Sequence, residues 1–519
     1  MEDNMYAEAL FIKNGLIYKV GTKEDVFLYK SANTEIIDLN GKTLMPAFVD
    51  AHSHITAFAN TLRLVPLNEA QSIQDVIKRL QAFKKTKKLV SGEWIIGFGY
   101  DQNNFLGKHI LTKNDLDQVS TVNPIIISHA SGHMGVVNSL GLQKLNINKE
   151  TPNPDGGRIG RIKESDEPNG YLEENAFIHN SSKIPQPSQE KMLQLLDEAQ
   201  NIYFSYGITT AQDGMVNNNE DQLLKAMSDQ KRLRIDVVGY IDLKNSKDII
   251  QDRKAYIGQY VNHYKIGGYK IFLDGSPQGR TAWLSEPYEN ATDNYCGYPV
   301  YKDSEVEQFI ETALNEEMQL LAHCNGDAAA EQLITCFEKK LKEHSSIKDI
   351  RPVMIHAQTV RYDQLDKMKK IHMIPSFFIN HTYYWGDVHI QNLGLERAER
   401  ISPVQTTIKK GITYTLHQDT PVVPPDMFHS IWCAVNRITK KGITLGKNEK
   451  ISPLDAIKGV TQNSAYQYFE ENEKGSIKEG KQANFIIIDS NPLTIEPMKI
   501  KDIQVLETIK NGISVYKKW

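Results

Sequence analysis

LMPAFVDAHSHI, residues 44–55, is an apolar run that turns polar at Asp50 and ends in two histidines one residue apart. The apolar part, LMPAFVD (44–50), reads as a strand. On an extended chain alternate side chains point the same way, so His52 and His54 can offer both imidazoles to one ion. By itself a His-x-His triplet is weak evidence, because histidine also serves structural ends. Its place at the end of a strand makes it worth following.

Seven further apolar runs succeed this one: GITTAQD (207–213), RIDVVGYI (234–241), GYKIFLD (268–274), MQLLAHC (318–324), PVMIHAQ (352–358), MIPSFFI (373–379) and ITYTLHQD (412–419). Helical patterns lie between them, such as SEVEQFIETALNEEM (304–318), with apolar residues at helical spacing. Eight strands alternating with helices predict an α/β fold, a (β/α)8 TIM-type barrel. Such barrels carry their chemistry at the C-terminal ends of the strands. There, His52 and His54 follow the first strand, His323 ends the fifth, His356 ends the sixth and Asp419 follows the eighth. Singly, each reads as a satisfied polar residue of core or surface. Jointly, four histidines and an aspartate at four strand ends are the donors expected for Zn2+ or a similar divalent cation.

The fourth strand contributes Lys270, flanked by Tyr269, Ile271 and Phe272. A surface lysine can snorkel, but these neighbours predict a buried strand, where desolvation disfavours the ammonium. A neutral amine can add carbon dioxide, and the carbamate is an anionic, bidentate ligand able to bridge two metals. Cys324, next to His323, points to the other face of its strand and reads as core.

Both ends of the chain read as β. The first 45 residues hold ALFIKNGLIYKV, DVFLYK and TEIIDLNGKTLMP, and the last 45 hold NFIIIDSNP and VLETIKNGISVYKK. Asn14-Gly15 and Asn511-Gly512 lie between apolar runs, a hairpin signal. Neither end buries much surface alone, so residues 1–46 and 466–519 are expected to form one composite β-sandwich. The barrel is then 47–59 and 206–465. Residues 60–205 form a large insertion after the first barrel strand, expected to cover the active-site face. KKTKK (84–88) reads as a solvated helix end.

Composition excludes several classes. With 60 Lys and Arg against 64 Asp and Glu, the net charge of −4 makes no electrostatic case for nucleic acid or an anionic membrane. No run approaches a membrane span, and the N-terminus lacks the pattern of a secretory signal. Four cysteines without Cys-x-x-Cys spacing are expected to be buried free thiols in a reducing compartment, the cytoplasm.

LMPAFVDAHSHI, GYKIFLDGSPQGRTAWL, LAHCNGDAAAEQL, IHAQ and LHQDTPVVPP together resemble the amidohydrolase superfamily. SGHMGVVNS (131–139), PDGGRIGR (154–161), GYLEENA (170–176) and GSIKEGKQANFIIIDSNPLT (475–494) resemble one branch of it, amidohydrolase family 3. That branch holds N-substituted formamide deformylase and the YtcJ-like proteins. The resemblance spans nearly the whole chain. It implies His52, His54, His323 and His356 as metal ligands and Lys270 as the carboxylated bridge, with Zn2+ as the metal and one or two ions held. Asp419 is implied as ligand and as the catalytic proton shuttle. Many relatives read Gly-Ser-Asp where this chain has His417-Gln418-Asp419, which leaves His417 as a substrate contact or a support for the ligands. His133, in SGHMG, matches the substrate-side motif. Arg280 either clamps an anion or ties down the loop after strand four. Asp274 and Asp327 either orient ligands or cap turns. Trp283, Tyr383, Tyr384 and Trp385 either line an aromatic pocket or pack under loops. A homodimer is also implied.

The activity expected is hydrolysis of a non-peptide C–N bond, an amide or N-formamide of a small molecule, by metal-activated water. Deamination, or hydrolysis of a cyclic amide or ester, is the alternative within the superfamily. A non-catalytic scaffold or regulator is the alternative of another class, and it predicts lost ligands, whereas this chain keeps the full set.

Overall fold

The computed structural model describes residues 6–102, 105, 111–129, 131–344 and 349–518. Two compact units emerge, one from residues 1–58 with 196–519 and the other from 59–195.

The larger unit is organised on one eight-stranded sheet. Its strands are β1 (Phe48–Val49), β2 (Ile208–Val216), β3 (Asp236–Asp242), β4 (Tyr264–Phe272), β5 (Gln319–Cys324), β6 (Val353–His356), β7 (Ile374–Phe378) and β8 (Thr415–His417). They lie side by side in chain order, every neighbouring pair parallel. Helices such as Asn218–Asp229, Asp303–Asn315, Asp327–Glu343 and Tyr362–Lys370 separate them. The sheet curls until its two edges approach. His54 N donates to Thr420 O at 2.8 Å, and the rings of His52 and His417 are 5.2 Å apart. Order, direction and curl are those of a TIM-type barrel, although no ladder joins β1 to β8 among the described residues. All eight runs read from the sequence supply a strand.

Residues 44–50 are not one strand, however. Thr43–Pro46 pairs antiparallel with Phe485–Ile488, and only Phe48–Val49 enters the parallel sheet. The hand-over falls at one residue: Ala47 N donates to Asn484 O and Phe48 N to Gly207 O. Thr43–Pro46, Phe485–Ile488, Val505–Lys510 and Ile513–Lys517 form a four-stranded antiparallel sheet drawn from both termini. The hairpin Ala9–Lys13/Leu16–Gly21 is tied to it where Ala483 N donates to Gly15 O at 2.8 Å. Ile17, Phe485, Ile487 and Ile509 share one apolar cluster, so the two ends are buried against each other.

Both Asn-Gly pairs are the predicted hairpin turns, with positive φ at Asn14, Gly15, Asn511 and Gly512. DVFLYK, read as β-rich, is instead preceded and begun by a short helix, Lys23–Phe27. Thr22 caps it by accepting from Asp25 N, and Glu24 and Asp25 suit the first turn. The helix read over 304–318 stops at Asn315, before a left-handed Glu317 and the start of β5.

The smaller unit has its own six-stranded sheet, in the order Leu64–Pro66, Ile95–Tyr100, Ile125–His129, Met134–Val137, Pro168–Glu174, Gly157–Arg161. Its first three strands are parallel and the rest antiparallel. KKTKK lies at the end of the helix Ile73–Thr86, as read. No helix among the described residues is long and apolar enough to cross a membrane.

Candidate metal centre

Strand ends of the parallel sheet bring six side chains together. His52 and His54, beyond β1, each place Nε2 3.4 Å from Asp419 Oδ1, beyond β8. Lys270, in β4, is wholly buried and puts Nζ 3.3 Å from His52 Nε2. His323 and His356, closing β5 and β6, face each other with Nδ1 and Nε2 3.0 Å apart. His356 Nε2 is also 4.0 Å from Asp419 Oδ2, which joins the two halves of the cluster.

Burial decides the charge of Lys270, His52, His323 and His356. It pushes the Lys270 amine down to about 7, against the pull of Asp419. It pushes His323 down to about 3, helped by Lys270, and holds His52 and His356 well below the usual imidazole range. Neutral imidazoles are the form that binds a metal. Backbone strain marks the same places: His356, Ala357 and Asp419 have φ of 76°, 45° and 57°, a region that non-glycine residues seldom occupy.

These residues fit a divalent cation. Asp419 Oδ1 is buried and accepts no hydrogen bond among the described residues, although a buried carboxylate oxygen normally finds a partner. Ligand atoms of His52, His54 and Asp419 all lie within 4.8 Å of one another. A tetrahedral ion with bonds of about 2.0–2.1 Å holds its ligand atoms about 3.3–3.4 Å apart. The His52–Asp419, His54–Asp419 and Lys270–His52 separations agree with that spacing.

The sequence matches the profile of the amidohydrolase family over residues 35–516. The chain belongs to that family. YtcJ of Bacillus subtilis (strain 168) is 28% identical over 533 residues, covering 100% of this chain and 97% of YtcJ. The N-substituted formamide deformylase of Arthrobacter pascens is 25% identical over 539 residues, covering 99% and 96%. Among solved structures, an uncharacterised metal-dependent hydrolase of Pyrococcus horikoshii OT3 superposes with a TM-score of 0.74 at 26% identity, covering 94% of each chain.

The other predicted residues of this amidohydrolase fall in different surroundings. His417 is wholly buried, with Nε2 3.2 Å from His356 Nδ1 and Nδ1 2.8 Å from Ser376 Oγ, so both ring nitrogens are engaged inside the barrel. Arg280 donates to Asn392 Oδ1 at 2.9 Å and to the Glu289 carbonyl at 3.2 Å, tying down the loop after β4. Asp274 accepts from the backbone N–H groups of Trp283, Asn325 and Gly326, and its Oδ1 is 3.8 Å from His323 Nε2. Asp327 accepts from Ser285 and pairs with Arg361 at 3.0 Å. His133 belongs to the smaller unit, where its Nδ1 is 3.0 Å from Glu174 Oε2 and its side chain is 59% exposed.

Trp385 packs on Phe378, whose ring is 5.9 Å from that of His356, while Tyr383 and Tyr384 pack against His429. Cys324 is buried core, as read; Cys336 and Cys433 are also buried and Cys296 only partly, all four free.

Three supports escaped the sequence reading. Gln212 Oε1 meets His52 Nδ1, Ser376 meets His417, and the Tyr468 hydroxyl donates to the Asp50 carbonyl. A glutamine inside the apolar run GITTAQD was the one available signal, because a buried polar side chain needs a partner.

Proposed function

We propose that this amidohydrolase cleaves a non-peptide C–N bond, an amide or N-formyl amine of a small molecule, with the help of a divalent cation. The cluster of His52, His54, Lys270, His323, His356 and Asp419 carries this reading. By donor type the ion is Zn2+, one or two per chain, and it supplies Lewis acidity to the substrate carbonyl and to the attacking water. His52, His323 and His356, kept neutral by burial, would hold it together with His54 and Asp419.

Lys270, buried and with its amine brought down to about 7, is suited to add carbon dioxide at Nζ, releasing a proton and becoming an anionic carbamate. Asp419 Oδ1, unpartnered between two histidines, is the base for the water proton. As water attacks the carbonyl carbon, Asp419 takes the proton; it returns it to the nitrogen as the C–N bond breaks. The products are an amine and a carboxylic acid, formic acid for a formamide. The likeness to the Arthrobacter deformylase favours N-formyl amines within this class. The four free cysteines suit a reducing, cytoplasmic setting, and the unit that acts is a homodimer without nucleic acid or membrane as partner.

A panel of N-formyl and N-acyl amines, assayed for amine, acid and ammonia release with and without chelator, tests the proposal. Chelator-sensitive release of amine and acid is expected. Ammonia release from an amino-heterocycle instead would move the chain to the deaminases. A metal-loaded protein that hydrolyses nothing would defeat the catalytic reading.

A further inference from the structure

We infer that Gln212 is a positioning residue that fixes the tautomer of His52, and that Tyr468 holds Gln212 in turn; the inference rests on the metal-dependent reading above. Gln212 lies in β2, wholly buried. Its side-chain nitrogen is 2.8 Å from the Ala51 carbonyl oxygen and 2.9 Å from the Tyr468 hydroxyl. A carbonyl oxygen can only accept, so the amide end facing Ala51 is the NH2 group. The other end, Oε1, then lies 2.5 Å from His52 Nδ1. An amide oxygen also only accepts, so Nδ1 carries the proton and Nε2 keeps its lone pair. Nε2 is the nitrogen that faces Asp419 and Lys270.

Tyr468 completes the accounting. Its hydroxyl accepts from Gln212 and donates to the Asp50 carbonyl at 2.6 Å. Gln467 adds a second donor to the Ala51 carbonyl at 2.8 Å. The two backbone carbonyls before His52 and the imidazole itself are thus held by one network, and every hydrogen bond in it has a forced direction. A wrong tautomer would leave Oε1 facing a lone pair in a buried site, with neither atom satisfied. Partners that fix the ring of a metal-binding histidine influence affinity as well as fold.

The test strips metal from the purified full-length protein and titrates Zn2+ against a chromophoric chelator. Gln212→Leu, which removes the acceptor, is expected to bind Zn2+ about 10–100-fold more weakly than the parent. Gln212→Glu, which keeps a side-chain oxygen to accept from Nδ1–H, is expected to bind Zn2+ more tightly than Gln212→Leu. In metal-free protein labelled with 15N-histidine, the Nδ1–H tautomer signal of His52 is expected in the parent and Gln212→Glu and lost in Gln212→Leu. Tyr468→Phe, which removes one of the two anchors of Gln212, gives an intermediate loss and serves where Gln212→Leu does not fold. A folded Gln212→Leu, or failing it Tyr468→Phe, with parental Zn2+ affinity overturns the inference alone. A parent that takes up no Zn2+ overturns the metal-dependent reading, and this inference falls with it.

Discussion

Lys270 Nζ stands 3.3 Å from His52 Nε2 in a place from which solvent is excluded. Burial brings this amine down to about 7 from an ordinary 10.5. Between those values the unfolded chain holds a proton that the folded chain lacks. The metal-free protein is therefore expected to gain stability as pH rises through that window, by up to about 1.4 kcal/mol per pH unit. Lys270→Met, close in shape and without charge, should flatten the slope and stabilise the metal-free fold at pH 7. Urea denaturation at steps across the window measures both effects. If Lys270 acts as proposed, the same variant should also lose hydrolysis.

Asp419 offers a cleaner separation of chemistry from fold. Its φ of 57° suits asparagine nearly as well as aspartate, since both tolerate the left-handed region. Asp419→Asn should therefore fold like the parent while losing the group proposed to accept the water proton. A fall in kcat of about 10²–10⁴-fold, with KM little changed, is the expected result. Asp419→Ala adds backbone strain and should lose stability as well. Steady-state kinetics and thermal unfolding of the pair distinguish the two.

The centre was largely legible because its members sit where strands end. His52, His54, His323, His356 and Asp419 each close or follow an apolar run, and Lys270 interrupts one. Period-two geometry and the barrel's polarity then bring them to one end. The supports were not legible for an equally physical reason. Gln212 meets residues 160 and 256 positions away, and a hydrogen bond across that distance leaves no local pattern. The run 44–50 hid its break because both halves are apolar, and only the switch of backbone partners at Ala47 divides them. Arg280 has a bland local answer as well: its donors serve its own loop and the neighbouring Asn392.

Gly214 carries a third prediction. A Cβ there would come within 2.4 Å of Cε1 and 2.8 Å of Nδ1 of His52. The ring is buried and held at Nδ1 by Gln212, so the absence of a side chain at Gly214 is what lets His52 stand against the strand. Gly214→Ala should displace the imidazole, weakening Zn2+ binding and costing about 1–3 kcal/mol of stability through overpacking. Parental affinity and stability in this variant would show that the ring relaxes freely.

His417 decides between two roles that the sequence left open. A residue that contacts substrate must reach it, and His417 is wholly buried with its nitrogens on His356 and Ser376. For His356 Nε2 to keep its lone pair toward His323 and Asp419, Nδ1 must bear the proton and His417 Nε2 must accept it. His417 Nδ1–H then donates to Ser376 Oγ. A residue in that position acts through His356, so its loss should not depend on which substrate is offered. His417→Asn is expected to lower Zn2+ affinity and kcat about 10–100-fold, by the same factor across a series of amides, with KM almost constant. Ser376→Ala should produce a smaller effect in the same direction. A substrate-dependent rise in KM with unchanged Zn2+ binding would instead assign His417 to the substrate, and would require the barrel to open around it.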